Sequence, residues 1–570
     1  MKSLKLNYFA TLLAVVLLSS CGGLTKMKDA ASEINYTVSP KPLEVHGGEV
    51  ELTIETKFPP KYFNKKAVLT ATPAIVYEGG EEAYETTTVQ GESVQENNKV
   101  ISYEGGSFTY SGKVPYKEAM LVSSLEMRLG AKVGDQTVEF PGIKIADGVI
   151  STSQLAETDP KAIAVGDNFV RVLPENVEAD IHYQIQRSNI DSKELKAEDI
   201  KAMKDAIEAA KTNDRKEFKG VSVSAYASPD GSVELNTNLA EDRQKSSETY
   251  IKNELKKAKV DAEGDEFFSL MSTPEDWDGF KSKMEKSDIQ DKELVLRVLS
   301  MYSDPEVRER EIKNIAEAFE DIKVKVLPEL RRAKLTINID KVGYSDEELK
   351  EIAMSNPDTL NVEELLYAAN LFESNDDKLK VYQTAATNFG DDVRTNNNLG
   401  YVLYQQGKLA QAKEAFEKAK AVDNNDVVKN NLGAVALKEG DVAGAEELFT
   451  SATGAGKVVN YNMGIIKLQQ GDYKAAVSYF GNTAEFNTAL AQLLNGENDA
   501  ALATLGKVED DDAMVYYLKA VSGARSQKED IVLNNLKTAI GKDAGLKDYA
   551  KKDLEFRAYR ANDSFTSIVE

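Results

Sequence analysis

Three glycine pairs, Leu399-Gly400, Leu432-Gly433 and Met463-Gly464, recur 33 and 31 residues apart, and this self-similarity constrains the fold more than any other feature of the 570-residue chain. From the glycine of each pair the offsets repeat. A second glycine follows at seven residues (Gly407, Gly440, Gly471), an alanine at twelve (Ala412, Ala445, Ala476) and a phenylalanine at sixteen (Phe416, Phe449, Phe480). Small residues at fixed places let two helices of one unit touch, and the large apolar residue plugs the gap between them. A unit of this size cannot bury its apolar face alone, so neighbouring units stack.

This pattern resembles the tetratricopeptide repeat. Degenerate units flank the clear ones, upstream around Leu366, Tyr367 and Tyr382 and downstream around Gly496, Ala501 and Leu505. Helical patterning continues through Tyr516, Leu518, Leu536 and Ala539 towards Tyr559, which predicts an all-α solenoid over 345–561. Ser345-x-x-Glu348 and Asn361-x-x-Glu364 read as helix starts. The resemblance implies a concave face that binds a peptide or another protein. Asn396, Asn397, Asn398, Asn430, Asn431, Asn460 and Asn462 gather just before the glycine pairs, where carboxamides suit an extended peptide backbone without needing charge. Asn397, Asn398, Asn431 and Asn462 are the predicted partner-contacting row, the alternative for any one of them being a helix cap.

Residues 221–251 read as a strand with alternating faces, a Ser228-Pro229-Asp230-Gly231 turn and a helix opening near Asn236, with Leu239, Arg243, Ser247 and Tyr250 at helical spacing. Strand, tight turn and helix, with Asn236 and Arg243 seven apart, resemble the OmpA-like peptidoglycan-binding domain. Ala179–Ile185 is similar to its opening strand, 197–210 to its first helix and 330–339 to its closing, arginine-led strand, giving an α+β domain over 165–340. The stretch 261–325 is longer than the family's usual connection, and Trp277, Phe280, Leu294–Met301 and Ile315–Phe319 predict a helical insertion there.

In that family an Asp in the turn and an Arg on the helix hold the zwitterionic end of the peptidoglycan stem peptide, which implies Arg243 as one binding residue. The turn Asp position falls on Ser228, and Asp230 is expected to substitute for it, with Asn236 at the helix start. Turns of the Ala-Ser-Pro-acidic-Gly kind are similar to those of OmpA-like domains in Bacteroidota. The alternative is that Arg243 pairs with a Glu on the helix surface and Asn236 caps the helix.

From 35 to 152 short strand patterns alternate with Gly, Pro and Asn clusters. Val50, Leu52 and Ile54 alternate with Glu51, Thr53 and Glu55, and further runs lie at 67–72, 107–114 and 137–145. Such spacing predicts an antiparallel β-sandwich.

The chain opens with a basic head (Lys2, Lys5), an apolar run from Tyr8 to Leu18 too short to span a bilayer, and Leu18-Ser19-Ser20-Cys21. This resembles the signal of bacterial lipoproteins, which implies a signal peptide over 1–20, acylation of Cys21 as the link to a lipid bilayer, and a tether over 21–34. Cys21 is the only cysteine, so no intrachain disulfide can form. The formal charge of −24, or −26 once Lys2 and Lys5 leave with the signal, argues against nucleic acid as a partner.

With two histidines, His46 and His182, and no metal-ligand spacing, nucleophile elbow or phosphate-cradling loop, no cofactor and no enzymatic activity are expected. The sequence thus reads as a non-catalytic outer-membrane lipoprotein facing the periplasm. It would join membrane and peptidoglycan through the OmpA-like domain and recruit an envelope protein or peptide through its repeats. In the alternative reading it is a docking subunit with no peptidoglycan binding.

Overall fold

The computed structural model describes residues 22–262 and 264–570. Cys21 and the segment read as a signal peptide lie outside the described residues. Two compact units emerge, one running to Gly166 and resuming over Ser374–Glu570, the other Asp167–Glu373.

The first unit begins with two sheets sharing one core. Glu49–Phe58 is the spine of one sheet, pairing antiparallel with Asn35–Ser39, Leu43–His46 and Gly106–Pro115. Val68–Tyr77 and Ser123–Val133 pair antiparallel at the centre of the other. Val50, Leu52 and Ile54 point inward as their alternation predicts and meet Leu69, Ile75, Leu125 and Met127 from the opposite sheet. The run 137–145 is two strands, Gln136–Glu139 and Ile143–Asp147, because Pro141 and Gly142 break it.

The expected tether over 21–34 is corrected in the same unit. Residues 22–29 are helical, Leu24 and Met27 are buried in the sandwich core, and the Tyr62 hydroxyl donates to the Met27 carbonyl at 2.8 Å. Apolar side chains every third residue make this a docked helix rather than a spacer.

The repeats follow the sandwich in space. From Asn375–Asn388 to Glu529–Lys542, successive helices pack in pairs. A Cβ built on Gly400, Gly433 or Gly464 would lie 2.6 Å from the ring of Phe416, Phe449 or Phe480 respectively. The sixteen-residue offset is therefore a contact, the ring lying where any side chain would have to sit. Gly407, Gly440, Gly471 and Gly496 take positive φ (71°, 86°, 81° and 83°) in the turn between paired helices. The helical region extends past 561 to Asp563–Val569, whose Phe565 and Val569 enter the core.

The second unit is built on a four-stranded sheet in the spatial order Val172–His182, Arg332–Val342, Lys216–Tyr226, Phe268–Thr273. The last two run parallel and the other pairings are antiparallel. Glu198–Lys211 and Val233–Ala258 bury Ile200, Met203, Ile207, Ile251 and Leu255 against it.

The insertion is shorter than 261–325 because its first part, Phe268–Thr273, is a sheet strand. The sequence hid it: Leu270 and Met271 stay exposed, so no alternation marks it. The insertion proper begins at Trp277–Lys286 and builds its own core from Phe280, Met284, Val295, Ile312 and Ile322. Both expected helix starts, at Ser345 and Asn361, are capping boxes, and the helices they open, Asp346–Ser355 and Val362–Asn370, belong to this unit.

Candidate functional site

In the first unit, residues 157–165 have no helix or strand of their own and run along one face of the repeats, where asparagines grip their backbone. Ile163 N–H donates to Asn431 Oδ1 at 2.7 Å while Asn431 Nδ2 donates back to the Ile163 carbonyl at 2.8 Å. Asn398 does the same for Val165 (2.8 Å each way), Asn462 for Lys161 (2.7 and 2.9 Å) and Asn487 for Glu157 (2.9 and 2.8 Å). Residues 161, 163 and 165 present donor and acceptor to the same side, which is the two-residue period of an extended chain.

The asparagine that bonds the segment both ways occupies a fixed place in each repeat. Each lies on the first helix of its pair, nine residues before the positive-φ glycine that ends the pair's turn: Asn398 before Gly407, Asn431 before Gly440, Asn462 before Gly471 and Asn487 before Gly496. The carboxamides also brace one another. Asn431 donates to Asn397 Oδ1 and Asn462 to Asn430 Oδ1, both at 2.9 Å, while Asn397 and Asn430 donate to the Ile163 and Lys161 carbonyls. All are buried, and a buried amide left without these partners would cost about 1–3 kcal/mol.

The structure thus brings Asn397, Asn398, Asn431 and Asn462 onto one extended segment of the chain itself. Asn487 was missed, although its nine-residue offset from Gly496 was there to be read. Asn396 turns away to the Gly390 carbonyl, and Asn460 is exposed.

Between Glu157 and Lys161 side chains add to the grip. The Tyr461 hydroxyl donates to Asp159 at 3.2 Å, Gln469 donates to Thr158 at 2.7 Å, and Tyr404 donates to the carbonyl of buried Pro160. The Lys161 ammonium sits 4.2 Å from the Tyr461 ring centre and pairs with Glu485. Burial pushes the carboxyls of Glu157 and Asp159 above their ordinary range.

Upstream, this strap is fastened at the contact between sandwich and repeats. Thr152 donates to Glu555 at 2.6 Å, Arg525 pairs with the same carboxylate at 2.6 Å, and His46 packs edge-on against Tyr473 at 4.9 Å. Beside it, Asp553 accepts from Tyr517 at 2.6 Å, and burial raises its carboxyl from 3.8 to about 6.

In the second unit Ser228, Asp230, Asn236 and Arg243 line one cleft with Arg331, of about 50 Å³. The turn closes on itself. Ser228 donates to Asp230, and Asn236 Nδ2 donates to the carbonyls of Ser228 and Gly231, both at 3.1 Å. Ser232, not Asn236, caps the helix.

Arg331 fills the acidic side of the cleft, donating to Ser228 Oγ and Asp230 Oδ2, both at 3.1 Å. Arg243 is 1% exposed and donates to the carbonyls of Arg187 at 3.0 Å and Tyr226 at 2.8 Å rather than to a surface Glu. Burial draws its guanidinium down to about 10. The sequence marked Arg331 only as the start of the closing strand.

No curated protein matches the sequence significantly. Among solved structures the chain is similar to a tetratricopeptide repeat protein named YrrB, described as having an unusual peptide-binding site. Identity there is 23%, coverage 30% of this chain and 97% of that one, and the TM-score 0.25. It is also similar to a tetratricopeptide repeat protein from Parabacteroides merdae (15% identity, 37% and 91% coverage, TM-score 0.29) and to PilF of Pseudomonas aeruginosa (16%, 38% and 99%, 0.28). Residues 393–426, which hold Asn397 and Asn398 of the ladder, match the family model of the tetratricopeptide repeat, a family of protein-interaction scaffolds.

Proposed function

We propose that this protein is a non-catalytic docking scaffold of the cell envelope, anchored at the outer membrane by acylated Cys21 and facing the periplasm. The observation that carries this reading is the asparagine ladder, a row of buried carboxamides whose chemistry is recognition of extended backbone. Under it, the OmpA-like resemblance of the middle domain is one of fold. Arg331 occupies the carboxylate that a ligand ammonium would need, and Nε and Nη1 of Arg243 each donate to a main-chain carbonyl.

A second reading, a tether to peptidoglycan, is favoured by the convergence of Ser228, Asp230, Asn236 and Arg243 on one cleft. Sedimenting the soluble mature chain with purified sacculi separates the two. We expect the chain to stay in the supernatant. Pelleting that Arg243→Ala and Asp230→Ala both abolish would overturn the docking reading in favour of the tether. The anchor is checked by labelling cells with an alkyne palmitate analogue, expected on the wild type and lost in Cys21→Ala.

A further inference from the structure

The repeats' asparagine face is already taken, by residues 157–165 of the same chain. Three features set what else fits. The grip on Lys161, Ile163 and Val165 is to backbone N–H and C=O, which any extended segment other than one with proline at those positions can offer. The side chains of Ile163 and Val165 are only half-buried and that of Ala164 is exposed, so they are read weakly. Selectivity rests upstream, where Pro160 is buried and Lys161 lies between the Tyr461 ring and Glu485. A cavity of about 570 Å³ opens beside this point, lined by Asp159, Pro160, Tyr401, Tyr404 and Lys438.

We propose that the strap is a displaceable occupant of this groove, and that the groove accepts in its place an extended partner segment carrying a proline followed by a basic residue. This inference rests on the docking reading above, whose partner it describes in chemical terms. Exchange makes the strap an intramolecular competitor: tethering gives it an effective concentration on the order of millimolar, so a partner segment engages only when it binds tightly or is itself held nearby.

The probe is a fluorescein-labelled peptide with the sequence of residues 156–166, titrated against the full soluble chain. Ile163→Pro with Val165→Pro removes the N–H groups that Asn431 and Asn398 accept and frees that end of the groove. This variant is expected to bind the peptide at least about 100-fold more tightly than the wild type, and adding Asn431→Ala is expected to abolish the gain.

The second measurement uses the wild type alone. Hydrogen exchange of the strap amides is expected to accelerate in millimolar unlabelled peptide. A folded proline variant that binds no peptide would overturn the proposal. Should that variant fail to fold, unchanged strap exchange in the wild type would overturn it. A sealed groove would leave docking through other faces standing, whereas sedimentation with sacculi would overturn docking and leave the exchange result untouched.

Discussion

Asn431 and Ile163, 268 residues apart, exchange two hydrogen bonds through one carboxamide, at 2.7 and 2.8 Å. Asparagine presents donor and acceptor in the spacing of a peptide group, so its side chain completes the backbone of an extended segment as a neighbouring strand would. Removing it strands the Ile163 N–H and the Oδ1 of Asn397, which accepts from the same amide, while the Ile163 carbonyl keeps only the donor of Asn397.

Asn431→Ala is therefore expected to destabilise the first unit by about 2–4 kcal/mol, read as a lower urea midpoint with an unchanged slope. Asn460→Ala, at an exposed asparagine of the same cluster, is the control and is expected to stay within about 0.5 kcal/mol of wild type.

Gly433→Ala tests the contact behind the repeat. Its Cβ would lie 2.6 Å from Phe449 Cε1, and overpacking of this kind costs about 1–3 kcal/mol. Pairing it with Phe449→Leu is expected to lose less than the sum of the two single changes, because the smaller side chain makes room. A strictly additive double-mutant cycle would show that the contact is not the cause.

Asp553 gives the first unit a pH signature. Its folded value of about 6 stands above its ordinary 3.8 because burial disfavours the carboxylate. The native state therefore holds the proton more tightly than the unfolded chain. The resulting stability is fully present below about pH 4 and is lost as pH rises through 6, amounting to on the order of 3 kcal/mol. Asp553→Asn keeps an acceptor for the Glu555 N–H, now 2.9 Å from Oδ1. It is expected to match wild type near pH 4 and exceed it in stability near pH 7, measured as the difference between the two urea curves across that range.

Leu24→Ala addresses the docked amino-terminal helix. Leu24 is fully buried in the sandwich core, and truncating such a leucine costs about 2–5 kcal/mol. A lower melting temperature is expected. A free spacer would melt unchanged.

How far the sequence discloses this molecule depends on which residues carry the information. Repeat periodicity exposed the glycine and phenylalanine contacts because both partners lie within one unit. Alternation exposed Val50, Leu52 and Ile54 because one face of their strand is buried. Phe268–Thr273 escaped because its exposed Leu270 and Met271 spoil the period. The asparagine row was visible as chemistry suited to an extended backbone, but its occupant was not: nothing local in Glu157–Val165 states that its partners lie more than 230 residues downstream. Arg331 was hidden for the same reason, its meaning residing in a turn 101 residues upstream at Asp230.

The strap also sets an order of assembly. A chain made from its amino terminus releases residues 157–165 long before Asn487, 330 positions later, exists to receive Glu157. Val165, Ile163 and Lys161 meet Asn398, Asn431 and Asn462 as these emerge in turn, whereas Glu157 waits for Asn487 and Thr152 for Glu555. The final helices therefore act as a completion signal for the sandwich: a product ending before Glu555 keeps the asparagine row yet leaves Thr152 without its carboxylate, and so lacks that contact between sandwich and repeats.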